Sequence, residues 1–287
     1  MTTGNRPADG GHLIIEREAY DDFISREPQA LPYIKKLVGA VEYINNKARY
    51  CLWLVGASPA AINKMPLVKE RVRRCMEDRL NGAPDRQKLA ATPALFRETL
   101  NPGTSIIVPK VSSENRRYVP MGFFDNNTIA TDLVFLIPNA TLYHFGILTS
   151  SVHMAWMRAV CGRLKSDYRY SKDIVYNNFP WPDPTPEQRA RIEQTAQSIL
   201  DARAAYPDSS LADLYDEVLM PPELRRAHQD NDRAVRTAYG FPTGKEFTES
   251  DCVAALMRMY QELADSRKEK DAATVFATGN RKTNKSK

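Results

Sequence analysis

The sequence predicts an α+β fold, in which a mixed or antiparallel sheet flanked by helices precedes an all-α C-terminal helical region. Two observations predict it. Segments rich in β-favouring residues and bounded by turn residues recur in the first half of the chain, at residues 13–16, 49–55, 104–111, 117–123 and 128–138. Beyond residue 184 the pattern changes to helix caps followed by helical spacing of apolar residues.

Several local elements are expected around these strands. Residues 66–80 place apolar side chains at three-to-four spacing opposite basic ones, which predicts an amphipathic helix. A Thr-Pro pair opens residues 92–100 and predicts a short helix. Residues 140–161 are expected to form one long helix that ends at Gly162. An Asp-Asn-Asn run at residues 125–127 predicts a hairpin turn between two strands.

The predicted boundary is the segment Phe-Pro-Trp-Pro-Asp-Pro at residues 179–184, because closely spaced prolines make a rigid connection. A Thr-Pro-Glu-Gln capping sequence follows, and helices of about 20, 10, 19 and 17 residues can succeed it. We therefore predict a target-binding unit at residues 1–184 and a helical unit at 185–266. A basic, disordered tail is expected at 267–287.

Charge is divided along the chain. Residues 35–173 contain 21 Lys+Arg against 11 Asp+Glu, whereas residues 183–232 contain 5 against 11. The basic part can meet a polyanion that the acidic part would repel. No apolar stretch approaches the roughly 20 residues of a membrane span, and the first residues lack a secretory signal. A cytoplasmic protein with no membrane partner and with reduced cysteines is expected.

No catalytic, metal-ligating or cofactor-binding residue is assigned. The sequence has no glycine loop for S-adenosylmethionine and no polar-Pro-Pro-aromatic loop for a flipped base, and the Asn-Asn-Phe-Pro run at residues 177–180 has its proline in the wrong place. It also lacks any Asp-x-Lys or Glu-x-Lys pair, which common metal-dependent nucleases use. His144 and His153 have no second ligand at helical spacing, so core or interface histidines are expected.

Six ordered runs together resemble one family. They include Arg-Tyr-Cys-Leu-Trp-Leu at 49–54 and Val-Ser-Ser-Glu-Asn-Arg-Arg-Tyr-Val-Pro-Met-Gly-Phe at 111–123, and the others occupy residues 145–156, 162–165, 168–171 and 176–182. These runs resemble the C-terminal half of the MmeI type of single-chain restriction and modification enzymes, adenine-specific DNA methyltransferases also called type IIL or IIG. Long ordered runs are far more specific than a short motif.

The resemblance implies a target-recognition domain and a helical C-terminal domain that bind double-stranded DNA. In that family nuclease and methyltransferase domains precede these two, so S-adenosylmethionine belongs to the parent family and no cofactor is expected in this chain. The resemblance also places base contacts in and around the Ser-Glu-Asn-Arg-Arg-Tyr run. Its candidate DNA-binding residues are Ser113, Glu114, Arg116 and Arg117, with Lys110 directed to phosphate.

A second candidate DNA-binding stretch mixes cations with aromatic rings, which can neutralise phosphates and stack on bases. Its residues are Arg163, Lys165, Tyr168, Arg169 and Tyr170. Both stretches also admit a purely structural interpretation, as an exposed charged turn and as a surface cation-π cluster.

Three functions stay open. The first is sequence-specific DNA recognition alongside catalytic domains on another chain, a methyltransferase or nuclease subunit, with no catalysis by the isolated chain. The second is a truncated remnant or interaction module that docks on a methyltransferase subunit without DNA affinity of its own. The third is DNA methylation by the chain itself, against which the missing cofactor loop argues.

Overall fold

Short strands and helices alternate along the first part of the computed structural model, which describes residues 1–279. In chain order they are β1 (Thr2–Thr3), β2 (Ile14–Glu16), α1 (Arg17–Arg26), β3 (Ile34–Val38), α2 (Ala40–Ile44), β4 (Arg49–Leu52), α3 (Pro59–Asn63), α4 (Pro66–Leu80), α5 (Pro84–Gln87), β5 (Ser105–Pro109), β6 (Val111–Ser112), β7 (Gly122–Phe124), β8 (Thr128–Ala130), β9 (Val134–Pro138), α6 (Leu142–Leu148), α7 (Ser151–Val160), β10 (Gly162–Leu164) and β11 (Asp167–Arg169).

Helices make up the rest of the described chain. They are α8 (Pro186–Ala204), α9 (Leu211–Leu214), α10 (Pro222–Ala238) and α11 (Glu249–Gly279). The predicted start of α8 is confirmed: Thr185 Oγ1 accepts from the Gln188 backbone N–H (3.3 Å), and Gln188 Oε1 accepts from the Thr185 N–H (2.9 Å). Short 3₁₀ turns at Pro28–Tyr33 and Lys88–Ala91 and a π-helical turn at Lys172–Tyr176 join other elements.

The strands of residues 1–279 form three sheets. One has the order β1-β9-β5-β7 and is antiparallel throughout, and a second has the order β2-β4-β3-β8 with a parallel β3–β8 pair. The third is the small antiparallel sheet β10-β11-β6. Mixed and antiparallel sheets flanked by helices, followed by C-terminal helices, confirm the predicted α+β class.

One hydrophobic core joins the first sheet to the C-terminal helices. Ile106 and Ile137 of the sheet, Trp156 of α7, Ile192 of α8 and Val235 of α10 belong to the same buried cluster. Apolar burial is the main favourable term in folding, at about 25 cal/mol per Å². The helical region therefore completes the core of the sheet that precedes it, although the chain passes through the proline-rich segment at residue 184.

A second core, beneath the other four-stranded sheet, is closed by buried charged side chains. Arg79 of α4 is fully buried and donates to five backbone carbonyls at 2.7–3.2 Å. Glu27 is buried and accepts from the N–H groups of Leu67 and Val68 at the start of α4, at 2.9 and 2.7 Å. The outer face of α4 carries ion pairs of Arg73 and others with neighbouring glutamates.

The predicted long helix at residues 140–161 was wrong, because the chain breaks it into α6 and α7. Thr149 Oγ1 donates to the Phe145 carbonyl (2.7 Å), and Ser150 Oγ donates to the Ile147 carbonyl (2.7 Å). Ser150 Oγ also accepts from the His153 N–H (3.3 Å) and caps α7. Hydroxyl groups that bond nearby backbone offer an alternative to helix continuation. Gly162 begins β10 instead of capping a helix.

Three other local predictions were wrong, wholly or in part. Residues 128–138 divide into β8 and β9, which lie in different sheets, and β7 pairs with β5, so residues 125–127 do not form a hairpin. Between β8 and β9 the chain passes from one sheet to the other. Buried Asn5 fixes this connection, because its Nδ2 donates to the Leu100 and Ala130 carbonyls at 2.7 and 3.1 Å. A side chain at Gly4 would collide with the Thr131 carbonyl there. Only the last residues of 117–123 form a strand.

The predicted helix at residues 92–100 was also wrong, because this segment forms a single hydrogen-bonded turn, in which the Leu95 N–H donates to the Thr92 carbonyl (3.1 Å). Thr92 and Leu95 there accept bonds from Arg79 through their carbonyls, which an α-helix would have used internally. Helix α11 continues to Gly279, past the point at which a disordered tail was expected. Residues 280–287 of that predicted tail lie outside the described residues.

Within residues 1–279, no helix is long and apolar enough to cross a membrane. The four cysteines are unpaired thiols; Cys51, Cys75 and Cys252 are buried, and Cys161 is half-buried.

Replacing Asp232 tests how the helical region is joined to the sheet. Its Oδ2 accepts from the Tyr118 hydroxyl (2.8 Å) and its Oδ1 from the Ser151 N–H (2.6 Å), and all of these groups lie at or near the core. Asp232→Ala leaves both donors unpaired, so the free energy of unfolding should fall by about 2–4 kcal/mol. The asparagine of Asp232→Asn can still accept a hydrogen bond from the Ser151 N–H and donate one to the Tyr118 hydroxyl. This variant should therefore lose less free energy of unfolding. Urea unfolding followed by circular dichroism measures both, and equal losses would contradict this role.

Two buried histidines should make the fold sensitive to acid. Burial lowers the pKa of His153 to about 3 and the pKa of His228 well below its usual value. The unfolded chain takes up these protons below about pH 6.5 while the folded chain does not, so stability is lost as the pH falls from there. The free energy of unfolding should drop by about 1.4 kcal/mol per pH unit for each histidine. Urea unfolding between pH 7 and 5 checks this; His153→Gln should flatten the dependence, and an unchanged slope would refute the assignment.

Candidate nucleic-acid interface

The small sheet β10-β11-β6 brings together two segments that lie about 50 residues apart in the sequence. Ser112 pairs with Tyr168, and Val111 pairs with Arg169. The Tyr170 N–H extends the ladder by donating to the Lys110 carbonyl (2.9 Å). The turn after β6 and the β10–β11 hairpin therefore lie side by side, and nearly all the candidate residues fall in these two segments. We name residues 113–117 the reader turn.

Ser113 shapes the reader turn. Its hydroxyl accepts from the Asn115 N–H (3.3 Å), and its carbonyl accepts from the Arg116 N–H (3.2 Å). Glu114 at the tip is exposed, and its Oε2 lies 3.6 Å from Arg163 Nη1 of the hairpin. Both side chains are 45% exposed, and such pairs contribute about 0–1 kcal/mol. The pair holds the two segments loosely and can yield to a ligand.

The two arginines of the reader turn have different surroundings. Arg116 is half-buried, and burial lowers the pKa of its guanidinium, partly offset by Asp167 and Asp216. Arg117 is exposed, with its guanidinium carbon 5.8 Å from the centre of the Tyr118 ring. Because Tyr118 is buried and donates to Asp232, the end of the turn is fixed while its tip stays free.

The hairpin presents cations on a rigid support. Arg163 lies 4.1 Å from the centre of the Tyr168 ring and donates to the Ser166 carbonyl (2.8 Å). Lys165 occupies the turn with a φ of +56°, a left-handed conformation that β-hairpin turns use. Its ammonium group and the guanidinium of Arg169 belong to exposed side chains. These cations can approach a polyanion without rearrangement of the sheet.

The two tyrosines of the candidate stretch lie inside the molecule. Tyr168 is 7% exposed and Tyr170 is 3% exposed. The Tyr170 hydroxyl lies 2.9 Å from His153 Nε2, and burial raises its pKa well above the usual value. Both rings therefore support the hairpin from below, and stacking of a base on Tyr170 would require the core to open.

Lys110 occupies an intermediate position at the edge of the small sheet. Its ammonium nitrogen lies 4.6 Å from the centre of the Phe135 ring, a cation-π distance. Burial lowers its pKa, with an opposing effect of Asp132 and a further lowering by Arg169. Lys110 is thus held against the first four-stranded sheet, whereas the hairpin cations extend into solvent.

Sequence reasoning missed the contribution of the helices to this surface. A cleft of about 340 Å³ beside the reader turn is lined also by Arg158 of α7 and by Arg236 of α10. Arg158 donates to the Arg117 carbonyl (3.0 Å) and pairs with Glu249 of α11 at 3.0 Å. Arg233 and Arg236 of α10 were a signal in the sequence, but they follow the acidic segment 183–232 directly and were not assigned to the basic part of the chain.

The strand-to-helix junction at Gly39 differs from the glycine loop that holds a methyl donor. A methyl-donor site uses free glycine N–H groups between a strand and a helix. At the junction of β3 and α2 the Gly39 N–H already donates to Glu42 Oε2 (2.9 Å), and the helix has five residues. No group of three or more His, Cys, Asp or Glu side chains within residues 1–279 could hold a metal ion.

Comparison with known proteins agrees with this arrangement. The family model "MmeI, target recognition domain" matches residues 1–183, and "MmeI, C-terminal domain" matches residues 184–267. The chain is 42% identical over 265 residues to DNA methyltransferase A of Bacillus subtilis (strain 168), covering 91% of this chain and 30% of that protein. A solved structure of the type IIL restriction-modification enzyme MmeI in complex with DNA matches with a TM-score of 0.88 at 42% identity.

That structural match covers 92% of this chain and 35% of the MmeI chain, so the chain spans about a third of each relative. The two family models together account for nearly all of the chain, in the order in which they match. The chain belongs to the MmeI family, of which it carries the target recognition domain and the C-terminal domain.

Proposed function

We propose that the chain recognises a specific double-stranded DNA sequence on behalf of a type IIL or IIG restriction and modification adenine-N6 methyltransferase. The observation that supports this most directly is the pairing of β6 with β11, which sets the reader turn beside the β10–β11 hairpin. One exposed surface then carries a carboxylate and several guanidinium groups. The relatives named as a DNA methyltransferase and as a DNA complex agree with this role.

The tip of the reader turn has the chemistry to read a G·C pair in the major groove. The Glu114 carboxylate can accept from cytosine N4, and the Arg116 guanidinium can donate to guanine O6 and N7. The loose Glu114–Arg163 pair must open for this contact, and its exposure keeps that cost small. Ser113 sets the backbone of the turn that aims both side chains.

The surrounding cations would position the duplex through its phosphates. Arg117, Arg163, Lys165 and Arg169 are exposed around the reader turn, and Lys110 lies at the edge of the same sheet. Phosphate contacts fix register and orientation but carry no sequence information. Tyr168 and Tyr170 take a supporting role here, because their rings are buried beneath the hairpin.

We infer further that base flipping and methyl transfer belong to other domains of the relatives, of whose length this chain spans about a third. The isolated chain would then lack catalysis, and a methyltransferase or nuclease chain would be its protein partner. S-adenosylmethionine would bind to that partner.

A second candidate is a docking module without DNA affinity of its own. It is favoured by Val218 and Leu219, apolar side chains that are 87% and 67% exposed in the acidic part of the chain. Exposed apolar surface rimmed by polar groups marks interaction sites. Co-purification with a methyltransferase subunit, in the absence of duplex binding, would favour this function.

Duplex binding should depend steeply on salt. If the chain neutralises about five phosphates, the affinity should fall by about two to three orders of magnitude between about 50 and 200 mM salt, because each contact releases counterions. Fluorescence anisotropy of a labelled duplex measures this. A flat response to salt would exclude electrostatic DNA binding and favour the docking function.

Selection of bound DNA from a randomised duplex library tests sequence reading. We expect a short enriched motif that changes in Glu114→Gln or Arg116→Lys, because glutamine pairs with adenine and lysine cannot form the two-bond contact in the same way. The matched control is Lys165→Gln, which should weaken binding to all sequences equally and lower the salt slope by about one. Binding without a motif would show that this chain needs its catalytic partner to be oriented on DNA.

A further inference from the structure

A cationic cleft lies where the reader turn meets the C-terminal helices. It has a volume of about 320 Å³ and lies between Arg117, helix α10 and the loop that precedes α11. Its cations come from both parts of the chain; they are Arg117, Arg233, Arg236 and Lys245. The cleft adjoins the one beside the reader turn, since Arg117 and Arg236 line both. Together the two clefts form a continuous surface from Glu114 to Lys245.

Arg236 has an unused hydrogen-bond donor at this cleft. Its Nε is buried and has no hydrogen-bond partner among the described residues. The guanidinium carbon lies 5.6 Å from the centre of the Phe247 ring, which holds the group by cation-π contact and not by a carboxylate. A buried donor without an acceptor costs stability that a bound acceptor restores.

Cations outnumber carboxylates in the lining of this cleft, by four to one. Asp232 lines it, but both of its oxygens already accept, from the Tyr118 hydroxyl and the Ser151 N–H, and burial raises its pKa. Asp230 pairs with Arg233 on the exposed side of α10. Glu246 is an exposed neighbour of Gly244 at the rim, and Glu217 and Glu249 line the adjoining cleft, where Glu249 pairs with Arg158. Arg117, Arg236 and Lys245 therefore remain to attract an anion.

Several cations converging on one cleft, with a free N–H donor among them, suit a tetrahedral oxyanion such as a phosphate group. We propose that this cleft binds phosphate, and that the DNA backbone flanking the reader turn supplies it. The second statement rests on the proposed function. It follows from Arg117, which ends the reader turn and lines the cleft, so that a duplex seated on the turn passes the C-terminal helices.

This inference gives the helical region a direct part in DNA binding. Residues 183–232 are acidic as a group, yet the cations at 233, 236 and 245 face the same cleft as the reader turn. The end of α10 can then hold the duplex against the reader turn.

The test compares Lys245→Gln and Arg236→Gln with Arg226→Gln. Arg226 is exposed on the same helix but does not line the cleft, so it is a control with the same change of charge. We expect each cleft variant to weaken duplex binding by about tenfold at about 0.1 M salt and to lower the salt slope by about one, with the enriched motif unchanged. Arg226→Gln should leave the slope as in the unaltered chain. A salt slope unchanged in Lys245→Gln and Arg236→Gln would overturn the DNA backbone as the ligand of this cleft.

A second measurement distinguishes the source of the phosphate and separates this inference from the proposed function. Thermal unfolding is followed with and without inorganic phosphate, against chloride at equal ionic strength. Thermal stabilisation by phosphate that is lost in Arg236→Gln and Lys245→Gln supports a phosphate site even if the chain fails to bind duplex. Failure to bind duplex would contradict the proposed function and the DNA backbone as the source of the phosphate, but not the phosphate site itself. If phosphate raises the unfolding temperature but the salt dependence of duplex binding is unchanged in the variants, the site binds free phosphate. That result would overturn the DNA backbone as the source of the phosphate. If Arg236→Gln does not fold, the exposed Lys245→Gln carries both measurements.

Discussion

The position of the C-terminal helices against the sheet depends on the hydrogen bonds of one buried carboxylate, that of Asp232. Asp232, on helix α10, accepts hydrogen bonds from the Tyr118 hydroxyl and the Ser151 N–H. These bonds connect the C-terminal helices to the segment that follows the reader turn and to the start of α7. A buried acceptor is stable only when its donors are present, which makes this contact specific in a way that apolar packing is not. The shared hydrophobic core supplies the driving force, and Asp232 fixes the position of one part against the other.

Within the candidate interface, buried side chains hold the backbone rigid and other side chains are exposed to solvent. Tyr118 anchors one end of the reader turn in the core, and Tyr168 and Tyr170 support the hairpin from below. Between these anchors Glu114 and Arg163 face solvent and hold each other only loosely. Preorganised side chains lose less entropy when they bind, whereas weakly paired charges are released at little cost. Such an arrangement suits readout of a rigid partner such as duplex DNA.

Some features follow from local sequence because they act within a few residues. The bounds of α4, the Thr185–Gln188 capping box and the α+β class could all be predicted from spacing and caps. The break after α6 could also have been recognised, since Thr149 and Ser150 carry hydroxyl groups that compete for helix carbonyls. The two charged segments of the candidate interface were identified by composition and family resemblance alone.

The sequence by itself determined the types of element and the chemistry available to the candidate site. Only the tertiary structure decided that β8 and β9 join different sheets, that Tyr170 is buried, and that Arg236 and Lys245 line a cleft with Arg117. The physical reason is the separation along the sequence of the residues that interact. Spacing and caps report a side chain's own helix or strand, whereas strand pairing, burial and charge clustering depend on residues that folding brings together from tens to more than 100 positions away.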